Sequence, residues 1–412
     1  MSRVLIYTLV YPPDGVSTAQ LLGELADELV SHGTEISVVT SVPIYRTGEA
    51  AHSGISLRRR ALGLFYSSRQ GDIDVWHVTC PSGTGRLARA SSWFLMHTIG
   101  AVLALAVSRR GTIFFVPSPL LTLGLVARGL AAVRRGGLVY NAQELQPDLV
   151  VDMGYIRSPL LIRVLRWAER RVYAGAAAVT AITPDMTERI RERAPSTRVE
   201  TIPNFVDLEF LRPGARSNPF SREHGLDRQL VVSYAGVMGP AQGLDALLDI
   251  ARAFPDDADV LTLLIGEGRS RGQLDARVGR EKIASVRFID HQPFSRVPEI
   301  YASSDLSVVS LSPGASTSAL PSKTLRIMAC GRPVLAICPE GSELAGEIRR
   351  AGAGIVVPPN DPERSAERVL DLLRSPDIRE EMGRAGRRYV EERYSRSRIG
   401  DRYHALLETV AP

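Results

Sequence analysis

The sequence predicts an α/β protein of two Rossmann-like domains, each a parallel sheet wrapped by helices. The chain has 412 residues, more than one hydrophobic core comfortably serves, so two domains of roughly 200 residues each are expected. Short β-branched runs alternate with amphipathic stretches in two successive series, the pattern of βαβ units. A turn-rich stretch without periodicity, from Pro203-Asn204 to Asn218-Pro219, separates the series and reads as a linker.

Residues 4–8 open the first series as a buried strand, and Tyr11-Pro12-Pro13-Asp14-Gly15 breaks it. Ser17 or Thr18 can cap a helix whose apolar face is Leu22, Leu25, Ala26 and Leu29, ending at Gly33. Residues 35–40 resume as a strand, and the right-handed crossover this requires implies a parallel sheet. Further strands are predicted over 75–78, 112–116, 138–140, 178–181 and 199–202, with helices near 90–108, 120–133, 159–174 and 184–193. The second series has strands over 230–235, 260–265, 286–289, 306–311, 334–337 and 355–357. Helices near 243–253, 322–329, 342–351 and 361–374 separate them, and 376–410 reads as a polar helical tail. The expected domains are 1–205 and 206–390, with 391–412 a terminal helix packing back on the first. The two sheets are expected to face one another across a cleft, with ligands at the carboxyl ends of their strands.

Composition narrows the function classes. Apolar residues make up 44% and charged residues 23%, ordinary for a globular protein. Cys80, Cys330 and Cys338 are few and lack metal spacing, so they read as reduced thiols in a cytoplasmic protein. Arg3 is followed directly by the strand-like run 4–7 with no cleavage site of small residues after it, so no signal peptide is expected. Residues 1–205 hold 22 Arg against 16 Asp plus Glu, but the arginines are dispersed, which argues against a nucleic-acid partner. Attraction of this half to an anionic membrane surface is the better reading.

Four loops follow predicted strands and carry the chemistry. Leu320-Pro321-Ser322-Lys323 starts a helix, where free backbone N–H groups and the dipole attract a diphosphate. Lysine is scarce, since Lys282 and Lys323 are the only two, so one at a helix start invites a functional reading, although for an isolated helix start a solvated first-turn residue is the more common explanation. Tyr234-Ala235-Gly236-Val237-Met238-Gly239-Pro240-Ala241-Gln242-Gly243, Gly266-Glu267-Gly268 and Asp14-Gly15 supply glycines where backbone can approach phosphate. None of them alone decides against a structural turn; four, each after a strand, are much less likely by chance.

In order along the chain, YPPDG, NAQELQPD, IPNFVD, YAGVMGPAQGL, LPSK, ACGRPVLA and AGIVVPP resemble family 4 glycosyltransferases of GT-B fold, in the branch of colanic-acid, O-antigen and fucosamine-type sugar transferases. The resemblance spans nearly the whole chain. It implies transfer of a sugar from a nucleotide-diphosphate donor, UDP favoured over GDP, to a hydroxyl of a lipid-linked or small-molecule acceptor. Retention of configuration, no metal and no cofactor beyond the nucleotide-sugar are part of that expectation. It places Gly236, Gln242, Ser322 and Lys323 at the diphosphate, Gly15 close by, and Gly266, Glu267 and Gly268 along the nucleotide. His291 would meet the base, and Glu144 and Asp148 would act at the acceptor or reacting sugar. Val237, Ser318 and Arg326 depart from the family pattern; Arg326 stands where a ribose-gripping glutamate is usual. Those departures keep open a non-catalytic partner subunit, and the fold keeps open a sugar-nucleotide epimerase.

Asp72-Ile73-Asp74 and Asp257-Ala258-Asp259 precede predicted strands, where turn chemistry explains them better than metal binding. The apolar run 93–107 is too short to span a bilayer, which needs about 20 residues. It reads as a buried helix or, with Arg58-Arg59-Arg60, as part of a peripheral membrane surface.

Overall fold

The computed structural model describes residues 2–14, 16–43, 57–81, 86–148, 151, 156–255, 257–312 and 320–411, with backbone alone at 86–90. Contacts divide the chain into two compact units, 1–204 with 396–412, and Phe205–Ser395. Each is described by itself.

The first unit runs β1 (Arg3–Tyr7), α1 (Ser17–Ser31), β2 (Glu35–Ser41), β3 (Arg58–Arg60), β4 (Phe65–Gln70), β5 (Ile73–Val78) and α2 (Arg86–Val107). It continues with β6 (Ile113–Pro117), α3 (Leu121–Arg134), β7 (Leu138–Ala142), α4 (Pro159–Gly175), β8 (Ala178–Ala181), α5 (Pro184–Arg193) and β9 (Val199–Thr201). The second unit starts with α6 (Pro219–Glu223), β10 (Leu230–Ala235), α7 (Asp245–Arg252), β11 (Val260–Ile265), α8 (Arg271–Glu281), β12 (Val286–Ile289) and α9 (Val297–Ala302). Then come β13 (Leu306–Ser310), α10 (Ser322–Ala329), β14 (Val334–Ile337), α11 (Glu343–Ala351), β15 (Gly354–Val357), α12 (Pro362–Leu373) and α13 (Pro376–Arg393); α14 (Arg396–Val410) returns to the first unit.

The first sheet has the order β3-β4-β5-β2-β1-β6-β7-β8-β9. From β5 to β9 the pairs are parallel, and β4 and β3 add an antiparallel edge. Neither edge strand is expected from the sequence. Their cause is visible: β3 is three exposed arginines, and such a strand carries no apolar alternation, while its charge protects the sheet edge from pairing with another chain. The inner strands are different. All five residues of β6 and of β7 are buried, as parallel strands covered on both faces must be.

The second sheet has the order β12-β11-β10-β13-β14-β15, all parallel. In this doubly wound order the connections reverse direction between β10 and β13, the switch point where ligands of such sheets sit. Tyr234, Leu247, Leu264, Leu306 and Leu335 are among the residues of its core.

Residues 205 and 391–395 belong with the second unit, unlike the boundaries expected from the linker. Val206 N–H donates to Tyr394 O at 2.9 Å, and the Tyr394 ring is buried in the cluster with Leu344 and Val390. Helix α14 packs on the first unit through Ile399, Tyr403, Leu406 and Leu407. Tyr403 sits edge-on to Phe115 and is bonded by Asn141 Nδ2 at 2.9 Å. All three cysteines are buried and unpaired as disulfides.

Candidate functional site

In the second unit two loops, after β10 and β11, come together with one helix start at the carboxyl ends of the strands. Gly236 N–H donates to Ile265 O at 2.9 Å, Gly266 N–H to Ile289 O at 3.0 Å, and Met238 N–H to Glu267 O at 2.7 Å. The backbone is so close that a β-carbon at Gly266 would lie 2.3 Å from Gly236 O, and one at Gly268 would lie 2.2 Å from Met238 O. Both residues also have positive φ, 131° and 150°, which favours glycine. These glycines therefore set the shape of the loops, whereas the N–H groups of Gly236 and Gly266 are already engaged. Gln242 is engaged too: its Oε1 accepts from Gly239 N–H at 3.0 Å, closing the short turn Pro240–Gln242.

Helix α10 brings Lys323 to the same place. Pro321 precedes the helix in extended conformation, and Thr324, Leu325, Ile327 and Met328 bury its apolar face. At the other end Gly331 N–H donates to Met328 O and Arg332 N–H to Ile327 O, at 3.0 and 3.2 Å, a Schellman stop. Ser322 is exposed at the first turn. Lys323 is half-buried, and its ammonium lies 3.6 Å from the centroid of the Tyr234 ring, well within cation–π range. A β-carbon at Gly236 would lie 2.9 Å from that ammonium. Tyr234 is fixed beneath it by donating from its hydroxyl to Val237 O at 2.6 Å. Burial, and secondarily the nearby Arg326, push the Lys323 ammonium down to about 7. Among the described residues no carboxylate pairs with it.

Arg326, one helical turn on, is half-buried with its guanidinium 5.1 Å from the Phe294 ring, which stacks on Phe210. Glu267 and Gly268 are exposed on their loop, and His291 is exposed just after β12. The structure joins Gly236, Gln242, Gly266, Glu267, Gly268 and Lys323 in one loop cluster; Gly15 and Ser318 lie outside the described residues. Two contributors were not found by sequence reasoning. Tyr234 heads the glycine loop in the sequence, but nothing there marks its ring as the seat of the Lys323 ammonium. Arg271 ties the cluster together, its Nη1 donating to Gly266 O at 2.6 Å and Ile289 O at 3.2 Å and its Nη2 meeting Asp290 at 2.8 Å. In a chain this rich in arginine nothing marked it.

In the first unit Glu144 and Asp148 share a segment but not an environment. Glu144 is half-buried; its N–H donates to Ser118 Oγ at 3.2 Å and its Oε1 accepts from Gln146 Nε2 at 2.9 Å. Gln143 beside it is anchored by Asn141 and Asn204 at 2.7 and 2.8 Å. Asp148 instead pairs with Arg193, which also holds the buried Glu169 at 2.7 Å, and lies 3.9 Å from Arg166. Burial raises the Glu169 carboxyl above its ordinary range, with Arg193 opposing the shift. This ion-pair cluster offsets the charge of Asp148, while its Oδ1 is buried without a hydrogen-bond partner among the described residues.

Asp72 and Asp74 are exposed around the turn between β4 and β5, with Arg69 3.5 Å from Asp72. Asp259, at positive φ, ends the turn before β11 and accepts from Leu230 N–H. Helix α2 buries Met96, Leu103 and Ala104 while exposing Trp93, Phe94 and Val102. No helix among the described residues is long and apolar enough to cross a membrane.

Comparisons with known proteins follow the same division. The family described as "Glycosyl transferases group 1" matches residues 217–389, and "Glycosyl transferase 4-like domain" matches residues 18–204. WcaI of Escherichia coli (strain K12), a glycosyl transferase named for colanic acid biosynthesis, is 22% identical over 96% of this chain and 97% of its own. The alpha-D-kanosaminyltransferase of Streptomyces kanamyceticus is 26% identical over 60% of this chain and 64% of its own. Among solved structures, sucrose-phosphate synthase from Thermosynechococcus elongatus shares the fold with a TM-score of 0.74 at 14% identity, covering 100% of this chain and 99% of that one. HepE of Anabaena, in complex with UDP, has a TM-score of 0.71 at 15% identity, covering 99% and 100%.

Proposed function

We propose a donor and an acceptor chemistry from the premise that the chain belongs to the glycosyltransferases built of a glycosyl transferase 4-like half and a group 1 half: it is a transferase of GT-B fold. The donor is a nucleoside-diphosphate sugar, with UDP as the nucleotide, bound by the second unit. The observation that carries this is the Lys323 ammonium, held over Tyr234 beside Gly236 at the switch point, with no carboxylate partner among the described residues. A doubly charged leaving group supplies the missing counter-charge. The solved complex of HepE with UDP, on the same fold, supports the choice of nucleotide.

As the sugar–oxygen bond breaks, negative charge grows on the departing diphosphate. Lys323 and the leading amides of α10 are in place before that happens, so they stabilise the transition state more than the substrate. Their cationic field does the work a divalent ion does elsewhere, which fits metal-independent, retaining transfer. Ser322 borders the diphosphate, and Gly266, Glu267 and Gly268 shape the nucleotide pocket together with Arg271. His291 lies toward the base, and Arg326 replaces a ribose-gripping carboxylate by a cation. Glu144 orients the acceptor hydroxyl, whose proton passes to the donor phosphate or to this carboxylate. Asp148 takes no part.

The acceptor is lipid-linked in this reading. Helix α4 exposes Leu160, Leu161, Val164 and Trp167 among the exposed Arg163, Arg166, Arg170 and Arg171, a mixture that suits the headgroup layer of an anionic membrane. The test is a panel of UDP-, GDP- and dTDP-sugars scored by thermal unfolding, since a ligand of the folded state raises the melting temperature by mass action. A rise with UDP-sugars that Lys323→Ala abolishes is expected. No rise with any nucleotide sugar would overturn the reading.

A further inference from the structure

The end of α10 remote from Lys323 opens on a second cationic cavity, of ≈ 470 Å³. Arg332, Arg384, Arg387 and Arg388 line it against a single carboxylate, Glu380. Arg384 meets Glu380 at 2.7 Å, and Arg387 meets Glu391 at 2.5 Å. Arg332 has no such relief. Its Nη2 donates to Gly214 O at 3.0 Å, and burial holds its guanidinium below the ordinary arginine range. The nearby Asp305 is already shared by Arg216 at 2.9 Å and Arg379 at 3.6 Å. Arg388 is exposed and enters no ion pair among the described residues.

We infer that this cavity binds a small phosphorylated anion, at a site separate from the donor loops. Guanidinium forks match phosphoryl oxygens in bidentate geometry, and the volume falls in the range of small-molecule pockets. Two of the four arginines are ordered in advance. Arg332 is held by Gly214 O, and Arg387, engaged at Nε by Glu391, at Nη1 by Leu211 O and Ala329 O and at Nη2 by Leu208 O, contributes a fixed positive charge, leaving the bidentate contacts to the other arginines. Such preorganisation lowers the entropic cost of capture. The cavity adjoins Pro333, at the amino end of β14, whereas Lys323 stands at the carboxyl ends of the neighbouring strands. The eight residues of α10 put about 12 Å between the two along the helix axis.

Calorimetric titration of the full chain with inorganic phosphate and with ribose 5-phosphate tests the assignment, on wild type, Lys323→Ala and the double variant Arg384→Ser/Arg388→Ser. Arg384 and Arg388 are exposed, so the double variant is expected to melt with wild type; Arg388→Ser alone repeats the test with a single exposed change. Equal affinity in wild type and Lys323→Ala, weakened about tenfold or more in the double variant, is expected for loss of charged hydrogen bonds. Tighter binding of ribose 5-phosphate than of phosphate identifies an ester as ligand, and equal binding identifies free phosphate. Binding lost in Lys323→Ala yet kept in the arginine variant assigns the anion to the donor loops and overturns the proposal, as does no binding at all.

Discussion

Lys323 in the second unit and Asp148 in the first both stand on segments that follow a parallel strand, yet the fold treats their charges in opposite ways. Asp148 is neutralised within its own unit: Arg193 and Arg166 surround it, and the same Arg193 satisfies Glu169, whose side chain is 1% exposed. Lys323 receives an aromatic face and a neighbouring cation, and among the described residues no carboxylate. A folded chain gains nothing from partial burial of an unpaired ammonium, because desolvation disfavours the charged form. Its position is intelligible if an anion arrives from outside. Asp148 already has two cations beside it.

Removing Arg193 should break the first half of that contrast with the largest effect. Arg193→Ala leaves the Glu169 carboxylate buried without its cation, a loss of about 3–5 kcal/mol in unfolding free energy with UDP affinity unchanged. Because the folded-state pKa of Glu169 is already raised and would rise further, the protonated form is the one the variant tolerates. Denaturant melts at decreasing pH should therefore recover part of the loss as Glu169 takes up its proton. A variant as stable as wild type would show that the cluster is incidental.

Lys323→Ala should do the converse. Turnover, as kcat/KM, is expected to fall by about 100- to 1,000-fold, the scale of losing one preorganised charge donor, while the melting temperature moves little or rises. Equal losses of stability and turnover would make Lys323 a packing residue. Smaller effects come from the ring beneath it. Tyr234→Leu removes a cation–π contact of about 0.5–2 kcal/mol and should weaken UDP binding several-fold, whereas Tyr234→Phe keeps the ring and should stay within about twofold. If Phe and Leu behave alike, the hydroxyl bond to Val237 is what matters. The smallest expected effect is that of Asp148→Asn on kcat/KM, within about twofold; a loss comparable to Lys323→Ala would return Asp148 to the acceptor site.

Much of this architecture was legible because buried parallel strands write themselves as β-branched runs: β10, β11 and β13 lie where residues 230–235, 260–265 and 306–311 predicted them. The hairpin of β3 and β4 was not legible, since an exposed edge of three arginines carries no apolar period. At the loops, the positions of Gly236, Gly266 and Lys323 could be read from spacing, but their division of labour could not. Whether a glycine donates its N–H or only yields space depends on a partner strand far along the chain, as Gly266 and Ile289 show. The same limit applies to Asp148, whose neutralising Arg193 lies 45 residues away in sequence.

If Lys323 is the group that meets the diphosphate, UDP binding carries a proton with it, and that uptake can be measured. Free Lys323 titrates at about 7, so at pH 8 most of it is neutral, and a bound diphosphate should recharge it. Calorimetry at pH 8 in buffers of differing ionisation enthalpy should then show wild type taking up nearly one proton per UDP bound, and Lys323→Met none. Binding without proton uptake, at an affinity that Lys323→Met preserves, would contradict the account.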